Sequence, residues 1–283
     1  MITLVRRVTA ACLLGTALTA CAATVHPAPR AARPAPSATS APPTLAPGPG
    51  GLTPVFRNGS RAQGRTVALT FDADMTADQG ARAAAGEHFD NPGLISALRA
   101  LKVPATVFMT GRWAEEYPDQ ARSIGRDPLF EVANHSYSHY AFTDDCYGLP
   151  RVSADRMLTD VERAYTAFRK AGVPDARPYF RFPGGCYDRR ALRELTSAGV
   201  TAVQWDVVSG DAFATDAEAV ARQVLEGVRP GSVVVMHCTR SAAPTTERVV
   251  RTVVPQLRAR GFRFVKVSEL IGSWAGGSQA GGS

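Results

Sequence analysis

No aspartate or glutamate occurs before Asp72 in this 283-residue chain. All seven charges of residues 1–71 are arginines (Arg6, Arg7, Arg30, Arg33, Arg57, Arg61 and Arg65). The remainder carries 25 basic and 25 acidic residues, so the net charge of +7 belongs to the N-terminal arm and the rest is electrically balanced. A nucleic-acid-binding domain would need a basic face with stacking aromatics on its folded part, and the balance argues against one. The chain lacks internal repeats and a glycine-rich nucleotide loop, which removes a dinucleotide-binding α/β sheet as the default. It also lacks any apolar run long enough for a membrane span apart from one that begins at the first residue. With 45% hydrophobic and 20% charged residues it is not a disordered protein.

The N-terminus pairs Arg6 and Arg7 with an apolar stretch from Val8 to Leu18, the pattern of a secretory signal. The stretch ends in Leu18-Thr19-Ala20-Cys21, which resembles a bacterial lipoprotein signal, with Cys21 as the lipidated new N-terminus. The expectation is an exported protein held on the outer face of the cell membrane, facing the wall. The Ala/Pro-rich residues that follow show no core face and predict an extended tether. The predicted organisation is a signal peptide over 1–20, the lipidated Cys21 and tether over 21–60, a catalytic domain over 61–272 and a flexible tail over 273–283.

From about residue 60 the pattern changes. β-rich runs recur at Thr66–Phe71, Ala105–Met109, Leu129–Ala133, Tyr179–Phe182, Thr201–Trp205, Val233–Met236 and Arg263–Val267. Helical patterns at Gly93–Leu101, Ala154–Ala171, Ala191–Ala198, Asp216–Val228 and Glu247–Arg260 fall between several of them. Seven strands alternating with helices predict an α/β fold, a distorted (β/α)7-type barrel with its active site at the C-terminal ends of the strands.

Unusual polar residues sit just after these strands. Thr70-Phe71-Asp72-Ala73-Asp74 follows the first; side chains two apart on an extended chain point the same way, so Asp72 and Asp74 would share a pocket. His135 and His139 follow the third at a spacing that places both on one helical face, suited to gripping a metal ion. No Glu follows His135, which excludes the zinc-protease helix. Arg181 ends the fourth and could pair with a buried carboxylate, and the Pro183-Gly184-Gly185 turn could offer a backbone N–H to a ligand. Trp205-Asp206 and Asp211 follow the fifth. His237 ends the sixth, where Asp211 could keep it a proton donor. Each feature alone also has a bland reading, as a turn, a cap or a satisfied core residue.

Taken in order, residues 62–272 resemble the polysaccharide deacetylase (NodB-homology) family, carbohydrate esterase family 4. Thr70-Phe71-Asp72 matches the first motif, with Ala73 where a second Asp is usual. His135-Ser136-x-x-His139 matches the second in full. Arg181 and Pro183 match the third, with Gly184 in place of an aromatic. Asp211 matches the fourth, with Val208 and Ala212 where an Asp and a Trp are usual. Val235-Met236-His237 matches the fifth.

The resemblance implies a hydrolase that uses a divalent metal, Zn²⁺ or a relative such as Co²⁺, to remove acetyl groups from a polysaccharide. Asp74 (in place of residue 73), His135 and His139 would hold the ion. Asp72 would be the general base, oriented by Arg181. His237 would be the general acid, oriented by Asp211. Pro183, Gly184 and Val235 would contact substrate, Val235 lining the acetyl pocket, and the missing aromatic at Gly184 would open one wall of the groove. Export and the basic arm favour N-acetylated peptidoglycan strands over xylan or chitin. An inactive wall-glycan-binding module and a sugar-nucleotide transferase using Asp72-x-Asp74 are the competing classes. The expected partners are wall polysaccharide and membrane, without nucleic acid, for a monomer. Of Cys146, Cys186 and Cys238, three pairings are open in an oxidising compartment, with Cys146–Cys186 preferred over the others and over three free thiols.

Overall fold

The structure, a computed structural model, describes residues 41–279. The expected signal peptide, Cys21 and the first part of the tether lie outside the described residues.

In chain order the elements are β1 (Val55–Phe56), β2 (Thr66–Ala73), α1 (Gln79–Ala84), α2 (Pro92–Ala100), β3 (Ala105–Met109), α3 (Gly111–Glu116), α4 (Pro118–Gly125), β4 (Phe130–Asn134) and α5 (Ala154–Ala171). There follow β5 (Ala176–Phe180), α6 (Arg189–Glu194), β6 (Thr201–Val203), β7 (Val207–Val208), α7 (Ala217–Gly227), β8 (Ser232–His237), α8 (Thr246–Ala259), β9 (Arg263–Phe264) and α9 (Val267–Gln279). Every strand pairing is parallel, in the order β1-β6-β5-β4-β3-β2-β8-β7, with β9 on β2.

That order requires a curled sheet. β6 and β7 are six places apart in the sheet, about 29 Å if it were flat. Only residues 204–206 separate them in the chain, a reach of about 14 Å. The sheet therefore bends into the distorted barrel expected from the strand–helix alternation, and the chain crosses from one end of the sheet to the other at Gln204–Asp206.

Alternation along β2 sorts its side chains between two environments. Val67, Leu69, Phe71 and Ala73, followed by Met75, join the core beneath the helices. Ala68 points inside the curl with Phe108, Ala133 and Val233, where Leu270 and Ile271 of α9 close the N-terminal end of the strands. Thr70 and Asp72 occupy the same inner face further along and are buried. The interior is thus apolar at one end and polar at the other, and the polar end is where the strands terminate.

Capping side chains punctuate the helices. Asn91 Oδ1 accepts from the Leu94 amide at α2, and Asp188 Oδ1 from the Ala191 amide at α6. Gly172, at φ 82°, ends α5 in the left-handed conformation that costs glycine little.

Three expectations are corrected. The tether does not run to residue 60, because the chain is packed on the domain from Ala41 onward. The Leu45 amide donates to Thr201 Oγ1, the Pro43 carbonyl accepts from Tyr179, and β1 adds to the sheet edge beside β6. This stretch is Pro-rich, but its scattered apolar residues find a ready-made surface. The last strand is shorter than expected and stops at Phe264. Glu131 Oε1 accepts from the Ser268 amide and turns the chain into α9, which runs to Gln279 through most of the expected tail. Residues 134–140 form no helix: Ser136 and His139 both have left-handed φ, 68° and 57°.

Candidate active site

A cleft of about 590 Å³ opens at the C-terminal ends of the strands. It is lined by Asp72, Asp74, His135, His139, Gly184, Val235 and His237 together. Arg181 and Asp211 stand directly behind it, almost wholly buried. Pro183 is buried and is not among the lining residues.

Asp72 is the second-last residue of β2. Arg181 Nη1 donates to its Oδ1 at 2.6 Å. The guanidinium also donates to Thr70 Oγ1 and the Val203 carbonyl, and it stacks 3.9 Å over the Phe108 ring. Each of the three nitrogens of this buried cation has a partner, so it is fixed. Burial alone would push the Asp72 carboxyl up, but the positive charge of Arg181, with His135 and His237 nearby, holds it below the usual carboxylate range. Asp72 is therefore ionised at neutral pH, with Oδ1 engaged by Arg181.

Asp74 lies just beyond the end of β2, and the alternation carries it to the cleft side while Ala73 turns into the core. Thr239 donates to its Oδ1 at 2.6 Å. His139 Nε2 stands 3.9 Å from Oδ2. His135 Nε2 stands 3.7 Å from Asp72 Oδ2, and the two imidazole centroids are 5.0 Å apart. The histidines meet through the loop after β4 and not along a helix. Asn134 Oδ1 accepts from the Ser136 amide and Ser136 Oγ from the His139 amide, which folds the loop back on itself.

Among the described residues no three His, Cys, Asp or Glu side chains are already arranged around a metal ion. The donors nonetheless fit one. The His135 Nδ1 faces the Arg181 carbonyl at 2.9 Å and carries a proton there, which turns Nε2 toward the carboxylates. Burial lowers the His139 pKa to about 4, so that ring is neutral. Two atoms each bonded at ~2.0–2.2 Å to one ion can stand up to about 4.3 Å apart, a limit the His139–Asp74 gap respects.

Across the cleft, the His237 ring nitrogen Nδ1 lies 2.8 Å from Asp211 Oδ1. The His237 amide and the Thr246 hydroxyl both donate to Oδ2, so Asp211 cannot rotate away. Burial works against the imidazolium, but the Asp211 carboxylate outweighs it and raises the His237 pKa to about 9. Nδ1 is thereby the protonated nitrogen toward Asp211, and Nε2 is left for the cleft.

The wall at Gly184 is not open. A Cβ there would lie 2.6 Å from Cys146 Sγ and 3.3 Å from the Tyr147 ring. Cys146 and Cys186 form a disulfide, and the loop it ties down, with Tyr147 and Leu149, fills the space left free by the missing side chain. Cys238 is buried with a free thiol. Asp206 takes no part in the cleft: it accepts from Arg61, Ser232 and the Val233 amide and fastens the chain crossing. Tyr147, Trp205, Phe213 and Thr239 also line the cleft, and no sequence motif marks them for a role. Only Trp205 stood at a strand end; the others come from loops whose course no periodicity reveals.

A sequence profile of the polysaccharide deacetylase family matches residues 59–203. The chain is 28% identical over 218 residues to a chitooligosaccharide deacetylase of Bradyrhizobium sp. (strain ANU 289), covering 73% of this chain and 90% of the relative. It is 27% identical over 182 residues to a peptidoglycan-N-acetylglucosamine deacetylase of Bacillus cereus, covering 64% and 62%. Its fold is similar, at a TM-score of 0.59 and 22% identity over 74% of this chain and 91% of the other, to that of a family 4 acetyl xylan esterase from Clostridium thermocellum in complex with a cobalt ion. The profile spans more than half of the sequence and covers Asp72 with the residues just past β4 and β5, His135 and Arg181. The chain belongs to the polysaccharide deacetylase family, the NodB-homology carbohydrate esterases.

Proposed function

We propose that this protein removes N-acetyl groups from the glycan strands of peptidoglycan, using a divalent ion held by Asp74, His135 and His139. Zn²⁺ is the proposed native ion, in keeping with the imidazole-rich donor set. Bound there, it would supply Lewis-acid polarisation of the acetyl carbonyl and a more acidic water. Asp72, its Oδ1 occupied by Arg181, accepts the proton of the attacking water at Oδ2. Arg181 keeps that carboxylate both ionised and immobile. His237 gives a proton from Nε2 to the departing amine, and Asp211 stabilises the resulting ring orientation. A backbone amide near Gly184 faces the carbonyl oxygen as negative charge develops; the Gly185 amide is spent on the Phe182 carbonyl, so the donor is a neighbour. Val235 lines the floor beside the acetyl methyl.

The observation that carries this reading is the pair of opposed acid–base units in one cleft: Asp72 with Arg181 on one side, His237 with Asp211 on the other. The peptidoglycan assignment rests on the lipoprotein-type signal ending at Cys21, which would hold the domain at the wall, and on the likeness to a peptidoglycan deacetylase. The test is acetate release from defined peptidoglycan oligomers, with and without chelator, for the wild type and Asp74→Ala. Release that the chelator and the substitution both abolish supports the reading. Release from acetylated xylan alone, or from chitin oligomers alone, moves the substrate elsewhere. Glycan binding without hydrolysis favours the inactive module, a class suggested by the burial of Ala73 at the usual ligand position.

A further inference from the structure

Exposed apolar side chains scattered singly are ordinary, but several gathered on one cleft mark a binding surface. Among the described residues four stand out as exposed: Tyr147 (88%), Phe213 (82%), Val208 and Trp274. The first three line the candidate active-site cleft. The two aromatics share a second property. Tyr147 has φ 51° and Phe213 φ 59°, in the left-handed region that bulky residues enter only when their surroundings compel it.

Those surroundings can be named. Tyr147 follows Cys146, whose disulfide to Cys186 binds the loop after β4 to the turn after β5. Phe213 lies two residues past Asp211, and its amide donates to the Ala242 carbonyl in the loop after β8. β4 and β5 lie on one side of β2 in the sheet, and β7 and β8 on the other. Since β2 leads into Asp72 and Asp74, the two rings rise from opposite flanks of the reacting centre.

We propose that Tyr147 and Phe213 form a two-sided sugar clamp, each stacking on the apolar C–H face of a pyranose ring next to the acetylated one, with the Cys146–Cys186 disulfide holding the Tyr147 side in place. This rests on the deacetylase reading and adds to it that the cleft grips at least three consecutive sugar units. Stacking needs an exposed ring of fixed orientation, and two strained, anchored loops supply it. Val208 and Ala212 line the cleft beside Phe213.

The clamp is tested by calorimetric titration of the full-length protein with the N-acetylglucosamine pentamer, in the presence of chelator so that affinity is read without turnover. Tyr147→Ala and Phe213→Ala each weaken binding at least fivefold, Tyr147→Trp restores it, and Trp274→Ala, on the exposed aromatic outside the cleft, leaves it unchanged. The double variant Cys146→Ala/Cys186→Ala weakens binding as Tyr147→Ala does. A second readout is the ratio of kcat/KM for the pentamer to that for 4-nitrophenyl acetate, which falls at least fivefold in either aromatic variant. Pentamer affinity unaltered in both alanine variants overturns the clamp, whether or not the wild type proves to be a hydrolase. Absence of hydrolysis with aromatic-dependent affinity overturns the deacetylase reading and leaves the clamp standing.

Discussion

Arg181 Nη1 donates to Asp72 Oδ1 at 2.6 Å although the two residues are 109 positions apart and both side chains are buried. A buried ion pair adds little stability by itself, but breaking one strands its partner. Arg181→Met therefore leaves the Asp72 carboxylate uncompensated, and urea unfolding shows a loss of about 3–5 kcal/mol. Acetate release falls by about 10²-fold or more, since Asp72, the proposed base, also loses its orientation. Arg181→Lys recovers part of the stability and little of the activity, because an ammonium cannot reach Asp72, Thr70 and the Val203 carbonyl together.

Asp74→Asn removes the carboxylate facing His139 without changing its size. Equilibrium dialysis with Zn²⁺ shows metal retention lost or weakened by at least ~10-fold, the scale of removing a charged ligand or its support. Circular dichroism stays that of the wild type, because Asp74 is only partly buried and its neighbours carry the strand pairing.

His237 titrates at about 9 because of Asp211. In the proposed role of proton donor, it is competent below that value and fails above it. Asp211→Asn lets the pKa fall toward the ordinary histidine value of ~6.5, so the alkaline limb of kcat against pH moves down by one to two units. The same shift bears on stability. A folded-state pKa above the unfolded one stabilises fully below ~6.5, and the contribution, at most ~3 kcal/mol, is lost as pH rises through about 9. Thermal unfolding of chelated wild type at pH 6.5 and 9.5 shows the loss, and Asp211→Asn flattens it.

The Cys146–Cys186 disulfide closes a loop with a sequence separation of 40. A loop of that size contributes about 4 kcal/mol through the unfolded state in the chain-entropy account, less whatever residual structure it retains. Cys146→Ala/Cys186→Ala lowers the denaturation midpoint by an amount equivalent to ~2–4 kcal/mol. Of Cys146, Cys186 and Cys238, only Cys238 titrates with a thiol reagent under non-reducing conditions, and only after denaturation, since burial raises its pKa to about 12.

Much of the site is legible residue by residue. Period-two alternation in β2 sends Asp72 and Asp74 to one side and Ala73 to the other, a local property of an extended chain. His237 follows a continuous apolar strand and so ends it at the open rim. The helical spacing of His135 and His139 misled, because the pair is brought together by two left-handed residues in a loop, and nothing local distinguishes that turn from a helix. Gly184 misled for a similar reason: the place of the missing side chain is taken by Cys146 Sγ, with Tyr147 and Leu149 beside it, from a loop 35–38 residues earlier in the chain.

The order of apolar runs and helical stripes determined an α/β chain with polar residues at strand ends, because burying both faces of a parallel sheet leaves a pattern readable in any one strand. Tertiary structure decided which of those residues meet. Arg181 finds Asp72, Asp211 finds His237, and Cys146 finds Cys186 because the sheet curls and brings distant strand ends to a single rim. That curvature, and the packing of residues 41–60 against the sheet edge, come from long-range contacts that leave no periodic signature in the chain.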